Sequence, residues 1–456
     1  MVGGRHEFLA ELRGLLWLAA PIVVNQLGQV GMSVADTVMV GPLGPEPLAA
    51  GGLGSAVHHF GLTIGMGVVM GMAPLVSQAF GAGNRLHCRR VFVQGVWVAL
   101  LVSLPITLLC LLGERVSLWL GQDPVVSALT GDYLMALAAS IAPALLFIAA
   151  RQYLEGMGHA IAPMVITFVG LAVNIGANRL FIYGAGDVIP AMGVEGAGWA
   201  TTVVRFTMLL AIVVFLATHR ELHPLRGVRI RVRPALLRSI FVVGVPVGVQ
   251  FGLEVGLFAF ASIMMGWMGA TELAAHQVTI NIASVTFMVA LGASLAGSIR
   301  VGQHIGAGRP AAMRRAVIGA YTLTLGFMAC CAVLFLSIPR PLMLLYTPHE
   351  GIVGLGVRLL LLAAAFQIFD GAQVCGMAVL RGAADTRAPM LIAMVGYWFV
   401  GVPTAYVLGF HTSLGPVGIW MGLSVGLAAV ALMLLLRVRR VLWRDPVERA
   451  AAAVPA

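Results

Sequence analysis

Three carboxylates sit where a water-soluble protein would not place them. Glu254 lies near the middle of VPVGVQFGLEVGLFAFASIMMGWMG, residues 245–269, with no basic residue for fifteen positions on either side. Asp36 and Asp370 interrupt two other apolar runs. Most of the remaining acids, eighteen in all, fall in polar connections or near the ends of runs. A charge at this depth costs roughly 3 kcal/mol on insertion scales, and such groups face a bundle interior or a wet cavity. A carboxylate there can bind a cation or exchange a proton. The structural alternative is a carboxyl bonded to hydroxyls or to an arginine. Three acids with almost no embedded bases favour function. Arg205, the one base deep in a run, reads as a structural partner of an acid in its own half or as a snorkelling side chain.

The neighbours of these acids supply oxygen. Gln250 is one turn below Glu254, and Gln367 and Gln373 flank Asp370 by three residues. Glu254 is expected about 16 residues, or roughly 24 Å, above the cytoplasmic end of its run, and Asp370 about 10 residues, or roughly 15 Å, above that side. Helix tilt and bends at Pro246 and at glycines would let the two meet, and the pair would suit a Na⁺ ion or a shared proton. Asn174 and Asn178, four apart, share one helix face. With Asp36 and a hydroxyl from Thr201 or Thr202 they would form a cage for a hard cation. The competing reading is an interhelical hydrogen-bond network. His276, Gln277 and Asn281 open another run. Asn281 is a supporting polar candidate, though packing and capping explain these three well.

The elements that must hold these groups are membrane helices. The chain has 456 residues, 60% of them hydrophobic and 10% charged, against about 25% charged in soluble proteins. Twelve apolar runs are expected at 14–41, 48–78, 91–113, 126–150, 161–183, 192–217, 238–268, 273–302, 315–338, 352–378, 388–410 and 414–437. The first is too long for a signal-peptide core. Every base is arginine, and the net charge is +10. Arg5, Arg13, Arg85, Arg89, Arg90, the cluster between Arg220 and Arg238, Arg309, Arg314, Arg315, Arg381, Arg387, Arg437, Arg439, Arg440 and Arg444 fall in alternate connections. That bias places both termini in the cytoplasm and leaves no need to invoke nucleic acid. The five cysteines read as reduced packing residues, with neither a disulfide nor a metal role. No nucleophile elbow, HExxH, Walker A or dinucleotide fingerprint is present. An enzyme is therefore not expected, and any pumping must draw on an ion gradient or a separate energy-coupling partner.

The chain repeats itself. At an offset of 225, Pro21 meets Pro246, Gly41 meets Gly266, and Leu48-Ala49-Ala50 meets Leu273-Ala274-Ala275. Gln78-x-x-Gly81-Ala82-Gly83 meets Gln303-x-x-Gly306-Ala307-Gly308, and Arg89-Arg90 meets Arg314-Arg315. At 226, Gly156 meets Gly382 and Ala162-Pro163-Met164 meets Ala388-Pro389-Met390. The expected fold is an all-α polytopic membrane protein, with two six-helix lobes related by a parallel internal repeat. Residues 1–218 form one lobe, 219–237 a cytoplasmic connection, and 238–456 the second lobe with a basic tail. The acids are not part of the repeat: Glu254 faces Gln29, Asp36 faces Ala261, and Asp370 faces Ala144.

These features resemble the multidrug and toxic compound extrusion (MATE) family, in its NorM-like bacterial branch. The resemblance rests on ADTVMVGPLGPEPLAAGGLG and TELAAHQVTINI, on SQAFGAGN and GQHIGAG, and on LEGMG and LRGAADTRAPM, and it covers essentially the whole chain. It implies V-shaped lobes and export of amphipathic, mostly cationic drugs by alternating access, in exchange for Na⁺ or H⁺. It also implies that Glu254 and Asp370 form the coupling-ion site, with Na⁺ as a possible metal there, and that Asp36, Asn174 and Asn178 form a second site. No cofactor is implied. NorM-like relatives commonly carry an aromatic hydroxyl one turn before the acid of the tenth span. Phe366 stands there, a substrate-cleft candidate able to attract a cation through its face but not to ligate one. The second span-five position is Asn178 where some relatives have an acid, which leaves Asp36 as the charge of that site. The expected setting is the bacterial inner membrane, among lipids and as a monomer. A flippase for a lipid-linked precursor is the alternative function; it would call for basic groups where these are acidic.

Overall fold

A backbone shielded from water must hydrogen-bond within itself, so long apolar runs become helices. The computed structural model describes residues 2–119, 121–185 and 190–443, and these are mostly helical, with one longer connection at 219–233. In order the helices are α1 (Val2–Val40), α2 (Pro45–Val69), α3 (Met72–Gly81), α4 (Arg85–Leu111), α5 (Gly113–Trp119), α6 (Pro124–Ala138), α7 (Ile141–Gly156), α8 (Ile161–Tyr183) and α9 (Gly193–Thr218). There follow α10 (Pro234–Met268), α11 (Ala270–Gly306), α12 (Pro310–Ser337), α13 (Pro339–Leu344), α14 (Glu350–Gly382), α15 (Arg387–Met394), α16 (Val402–Phe410) and α17 (Pro416–Trp443). A π-helical turn, Val395–Gly401, joins α15 to α16. Arg439 and Arg440, expected in the basic tail, lie in the last turns of α17; Arg444 lies outside the described residues, as does the side chain of Arg5.

Among the described residues ten helical stretches are long and apolar enough to cross a membrane. The pair α6–α7, bent by 44°, makes an eleventh, and α1 carries the first apolar run. The fourth run, expected as one helix, breaks at Ala139 and Ser140. There the Leu137 carbonyl accepts both the Ser140 amide at 2.9 Å and the Ser140 hydroxyl at 2.6 Å. The second run breaks at Met70 and Gly71, where a side chain on Gly71 would strike the backbone of Ile240 and Gly244.

The helices gather into two compact units. One comprises Met1–Val23, Gly81–Gly83 and Val249–Ala456. Its central helix is α14, packed against α11, α12 and α17 around Phe335, Phe366, Tyr397 and Trp420. The start of α1 is locked here. Arg300 of α11 closes a fork on Glu11, with Nε at 2.8 Å from one carboxylate oxygen and Nη2 at 2.6 Å from the other. The repeated Gln-x-x-Gly motif also has a packing reason. A side chain on Gly81 would overlap the Gln303 carbonyl.

The second unit comprises Val24–Phe80 and Asn84–Gly248. It pairs α8 with α9, α2 with α6 and α4 with α7, around Met72, Leu134, Phe147 and Tyr153. The connection after α9 is fastened to this unit. Arg89 donates to the carbonyls of Arg226 and Glu221 at 2.9 and 3.2 Å. Gln94 donates to the Arg231 carbonyl and accepts from the Arg233 amide.

Candidate functional site

In the unit that holds residues 24–80 and 84–248, α1 presents Asn25, Gln29 and Asp36, spaced four and seven residues apart and so on one face. Asp36 accepts hydrogen bonds from Asn174 Nδ2 at 2.9 Å and Asn178 Nδ2 at 2.7 Å, one turn apart on α8. Both amides are buried, while Asp36 is partly exposed. Asn178 Oδ1 is buried without a hydrogen-bond partner, an oxygen left open to a cation or donor. Thr201 on α9 faces the carboxylate. Thr202 does not reach this cluster: its hydroxyl bonds the Ala136 carbonyl of α6 at 2.7 Å. One residue along a helix turns a side chain by about 100°, enough to separate the two threonines.

Asp36 is also not the lone charge of this cluster. Arg205, one turn beyond Thr201, lies within its electrostatic reach and donates from Nη1 to Gln29 Oε1 at 3.2 Å. Deeper in the unit, Arg151 donates to Asn25 Oδ1 at 3.2 Å and sits 3.5 Å from Glu155. Arg151 is 3% exposed, so its place near the end of a run does not put it in solvent.

In the unit that holds residues 249–456, α10 presents Gln250 and Glu254, and α14 presents Asp370, Gln373, Met377 and Arg381. Asp370 is buried and Glu254 partly exposed, and the two lie within electrostatic reach of one another. Gln373 donates to Asp370 Oδ1 at 3.0 Å, and Tyr397 donates to Gln373 Oε1 at 2.6 Å. Tyr397 belongs to the π-helical turn, as does Trp398, whose indole donates to the Leu253 carbonyl at 3.3 Å, beside Glu254. A π turn offsets successive side chains from α-helical phase. Here two neighbouring residues reach the two acid-bearing helices.

The other candidates lie apart from the acid pair or beside it. Gln250 donates to the Met377 sulfur at 2.7 Å, which lays α10 against α14 one turn below Glu254. Gln367 points away, donating to Thr286 on α11 at 2.6 Å. Asn281 is exposed and bonds the Gln277 carbonyl in its own helix. Phe366 is 2% exposed, with ring centroids 5.6 Å from Trp420 and 6.2 Å from Phe258. It packs in the core and lines no open surface. Trp420 in turn donates to His276 Nδ1 at 3.2 Å.

Reasoning from sequence missed Tyr397, Trp398 and Arg381. Charge counting places Arg381 among the arginines of a cytoplasmic connection, yet it is 4% exposed. Its repeat equivalent is Glu155, also buried, and that correspondence was the available signal. Among the described residues no three His, Cys, Asp or Glu cluster as a metal site would. Any ion held here would rest on one or two carboxylates plus amide, hydroxyl or sulfur atoms.

The chain matches the MatE family over residues 21–180 and 246–407, two stretches whose starts differ by 246 − 21 = 225, the offset of the internal repeat. "Probable multidrug resistance protein NorM" of Bradyrhizobium diazoefficiens is 38% identical over 439 residues, 95% of this chain and 93% of that protein. The protein of the same name from Rhodopseudomonas palustris is 38% identical over 450 residues, 97% and 94% of the two chains. The solved structure of the eukaryotic MATE transporter AtDTX14 superposes with a TM-score of 0.89, over 98% of this chain and 99% of that one. At 20% identity that likeness concerns the fold.

Proposed function

This chain belongs to the MatE family, a family of membrane transporters, and from that premise we propose that it is a multidrug efflux antiporter. It exports amphipathic, mostly cationic compounds in exchange for Na⁺ or H⁺ by alternating access. Glu254 and Asp370 bind the coupling ion. The observation that carries this reading is the pair itself, a buried Asp370 on α14 within electrostatic reach of a partly exposed Glu254. Two acids so placed attract cations but cannot both stay ionised and unpaired at low cost. Ion and cationic drug therefore compete for one negative site. Inward movement of one charge is worth about 2.3 kcal/mol per 100 mV, and a ligand shifts the conformational equilibrium only through its differential affinity for the two states. In this reading the protein is a monomer of the inner membrane with both termini in the cytoplasm, and its lobes divide at 219–237. The Asp36 cluster acts as a second polar site.

The test is ethidium efflux from proteoliposomes under imposed Na⁺ or pH gradients, comparing wild type with Glu254→Gln. Gradient-driven efflux by wild type and its loss in the variant is the expected result. Equal efflux by both proteins would remove Glu254 from the coupling site. No ethidium movement by either would favour the flippase.

A further inference from the structure

We propose that Arg381 is the resident counter-cation of the Glu254–Asp370 pair, neutralising Glu254 while neither coupling ion nor drug is bound and giving way when one binds. The proposal rests on the reading of those acids as a cation site. Arg381 sits in the last turn of α14, where an arginine side chain is long enough to reach the cytoplasmic surface. It does not do so. It is 4% exposed, and its guanidinium carbon lies 5.4 Å from the centroid of the Phe251 ring, one turn before Glu254 on α10. Glu254 is within its electrostatic reach.

The faces agree with this placement. Asp370, Gln373, Met377 and Arg381 follow at spacings of three, four and four, one stripe along α14. Gln250 bonds Met377 from α10, so Phe251 and Glu254 stand above the last turn of that stripe. A cation–π contact with Phe251 compensates only part of the desolvation of a guanidinium; a carboxylate is needed for the rest.

The manner of engagement separates this arginine from Arg300. An arginine that fixes a carboxylate uses its planar fork, as Arg300 does on Glu11 with Nε and Nη2. In Arg381, Nε and Nη1 are buried without hydrogen-bond partners. The charge is near enough to neutralise and is not locked. With both acids ionised, Glu254, Asp370 and Arg381 sum to −1, which one monovalent cation completes. That cation takes Glu254 from Arg381, and when Arg381 returns it helps expel the cation. The arginine would thus keep affinity low enough for release.

Equilibrium binding of ethidium to the purified full-length protein in detergent, read by fluorescence polarisation, tests this. Arg381→Gln should bind ethidium about tenfold more tightly, since a like charge has left a low-dielectric site, and should release it more slowly. In a Glu254→Gln background the same substitution should no longer tighten binding. Arg381→Lys keeps the charge while losing the planar fork, and should bind ethidium several-fold more weakly than Arg381→Gln. Thermal melting supplies a readout without ligand. Glu254→Gln should lower the midpoint by stranding Arg381, and adding Arg381→Gln should restore it. Unchanged or weaker binding by Arg381→Gln, or equal tightening with and without Glu254, overturns the proposal. If Arg381→Gln does not fold, a tenfold tightening by Arg381→Lys, or no restored melting in the double variant, overturns it instead. The parent reading fails separately, through Glu254→Gln binding ethidium as wild type does.

Discussion

The two halves build opposite polar interiors on one repeated plan. Gln29 stands where the second half has Glu254, Asn25 where it has Gln250, Arg151 where it has Met377, and Glu155 where it has Arg381. In the first half the acids lie among amides and arginines. Asp36 takes two amide donors, with Arg205 within electrostatic reach, and Glu155 lies against Arg151. In the second half Glu254 alone has Arg381 within electrostatic reach, and Nε and Nη1 of that guanidinium have no hydrogen-bond partner. Helix continuity differs as well. The first half breaks at Ala139 and Ser140, whereas the corresponding α14 runs unbroken through Asp370. Its α8 is continuous where the second half inserts the π turn. Duplication supplied the scaffold, and the side chains then diverged toward an amide- and arginine-rich network on one side and an acid-rich site on the other.

The largest effect should therefore fall on the second half. Asp370→Asn is expected to cut gradient-driven ethidium efflux about a hundredfold, because one of two charges is lost from a buried site where each counts for more than in water. Asp36→Asn should cut it about tenfold, since an asparagine still fills the cage while Arg205 loses a counter-charge. The ratio is the measurement, taken in proteoliposomes under one imposed gradient. Equal losses would erase the distinction between the halves.

Tyr397→Phe probes the π turn. It removes the donor to a buried Gln373 oxygen and leaves that acceptor unpaired, at about 1–3 kcal/mol. The melting midpoint should fall, and the concentration of coupling ion that gives half-maximal efflux should rise, because Gln373 no longer has a fixed orientation toward Asp370. The repeat equivalent of Tyr397 is Leu171, where an alanine substitution should lower stability through packing alone and leave that ion concentration unchanged. A Tyr397→Phe variant with wild-type ion dependence would reduce the turn to packing.

How much of this was legible depended on how local each cause was. Apolar runs and the repeat are local patterns that survive without coordinates. The meeting of Asp36 with Asn174 and Asn178 needed only two helix faces and a four-residue spacing. Thr201 against Thr202 turned on one residue of helical phase, beyond the precision of a run boundary. Arg381 sits where charge counting assigns arginines to loops, and Arg151 sits near the end of a run; only the partners packed beside them turn the side chains inward. Tyr397 was illegible because its role depends on a π turn that no periodicity announces.

A smaller, pH-dependent effect belongs to the start of α1, ahead of the apolar run. Burial alone would push the Glu11 carboxyl up, but hydrogen bonds from His304 and Arg300 outweigh it and hold the group down at about 2. A carboxyl depressed from about 4.5 in the unfolded chain to about 2 in the folded one contributes stability that is complete above pH 4.5. That stability is lost as pH falls toward 2. Wild type should exceed Glu11→Gln by about 1–2 kcal/mol from pH 7 to 5, and the gap should close below pH 4.5 in thermal melts. The repeat equivalents of Glu11 and Arg300 are Leu236 and Leu75, so the first half has no such clamp, and Leu236→Gln should show no acid dependence of this kind. A gap that stays constant to pH 3 would mean the fork is not what fastens α1.

The smallest expected effect is the most discriminating for the comparison. Gln29→Glu installs at the repeated position the residue that the second half carries. Arg205 already donates to that side chain at 3.2 Å, so the new carboxylate should be neutralised where it stands, and ethidium efflux should stay within about twofold of wild type. Glu254→Gln combined with Gln29→Glu conserves the number of acids while moving one between halves. If position in the repeat were what mattered, that exchange would restore transport. If the surroundings matter, as Arg205 bonded to Gln29 on one side and Arg381 without a bond to Glu254 on the other imply, the double variant should be as inactive as Glu254→Gln alone. Recovery of even a tenth of wild-type efflux would show that the repeat, rather than the side chains diverged around it, sets where a cation can bind.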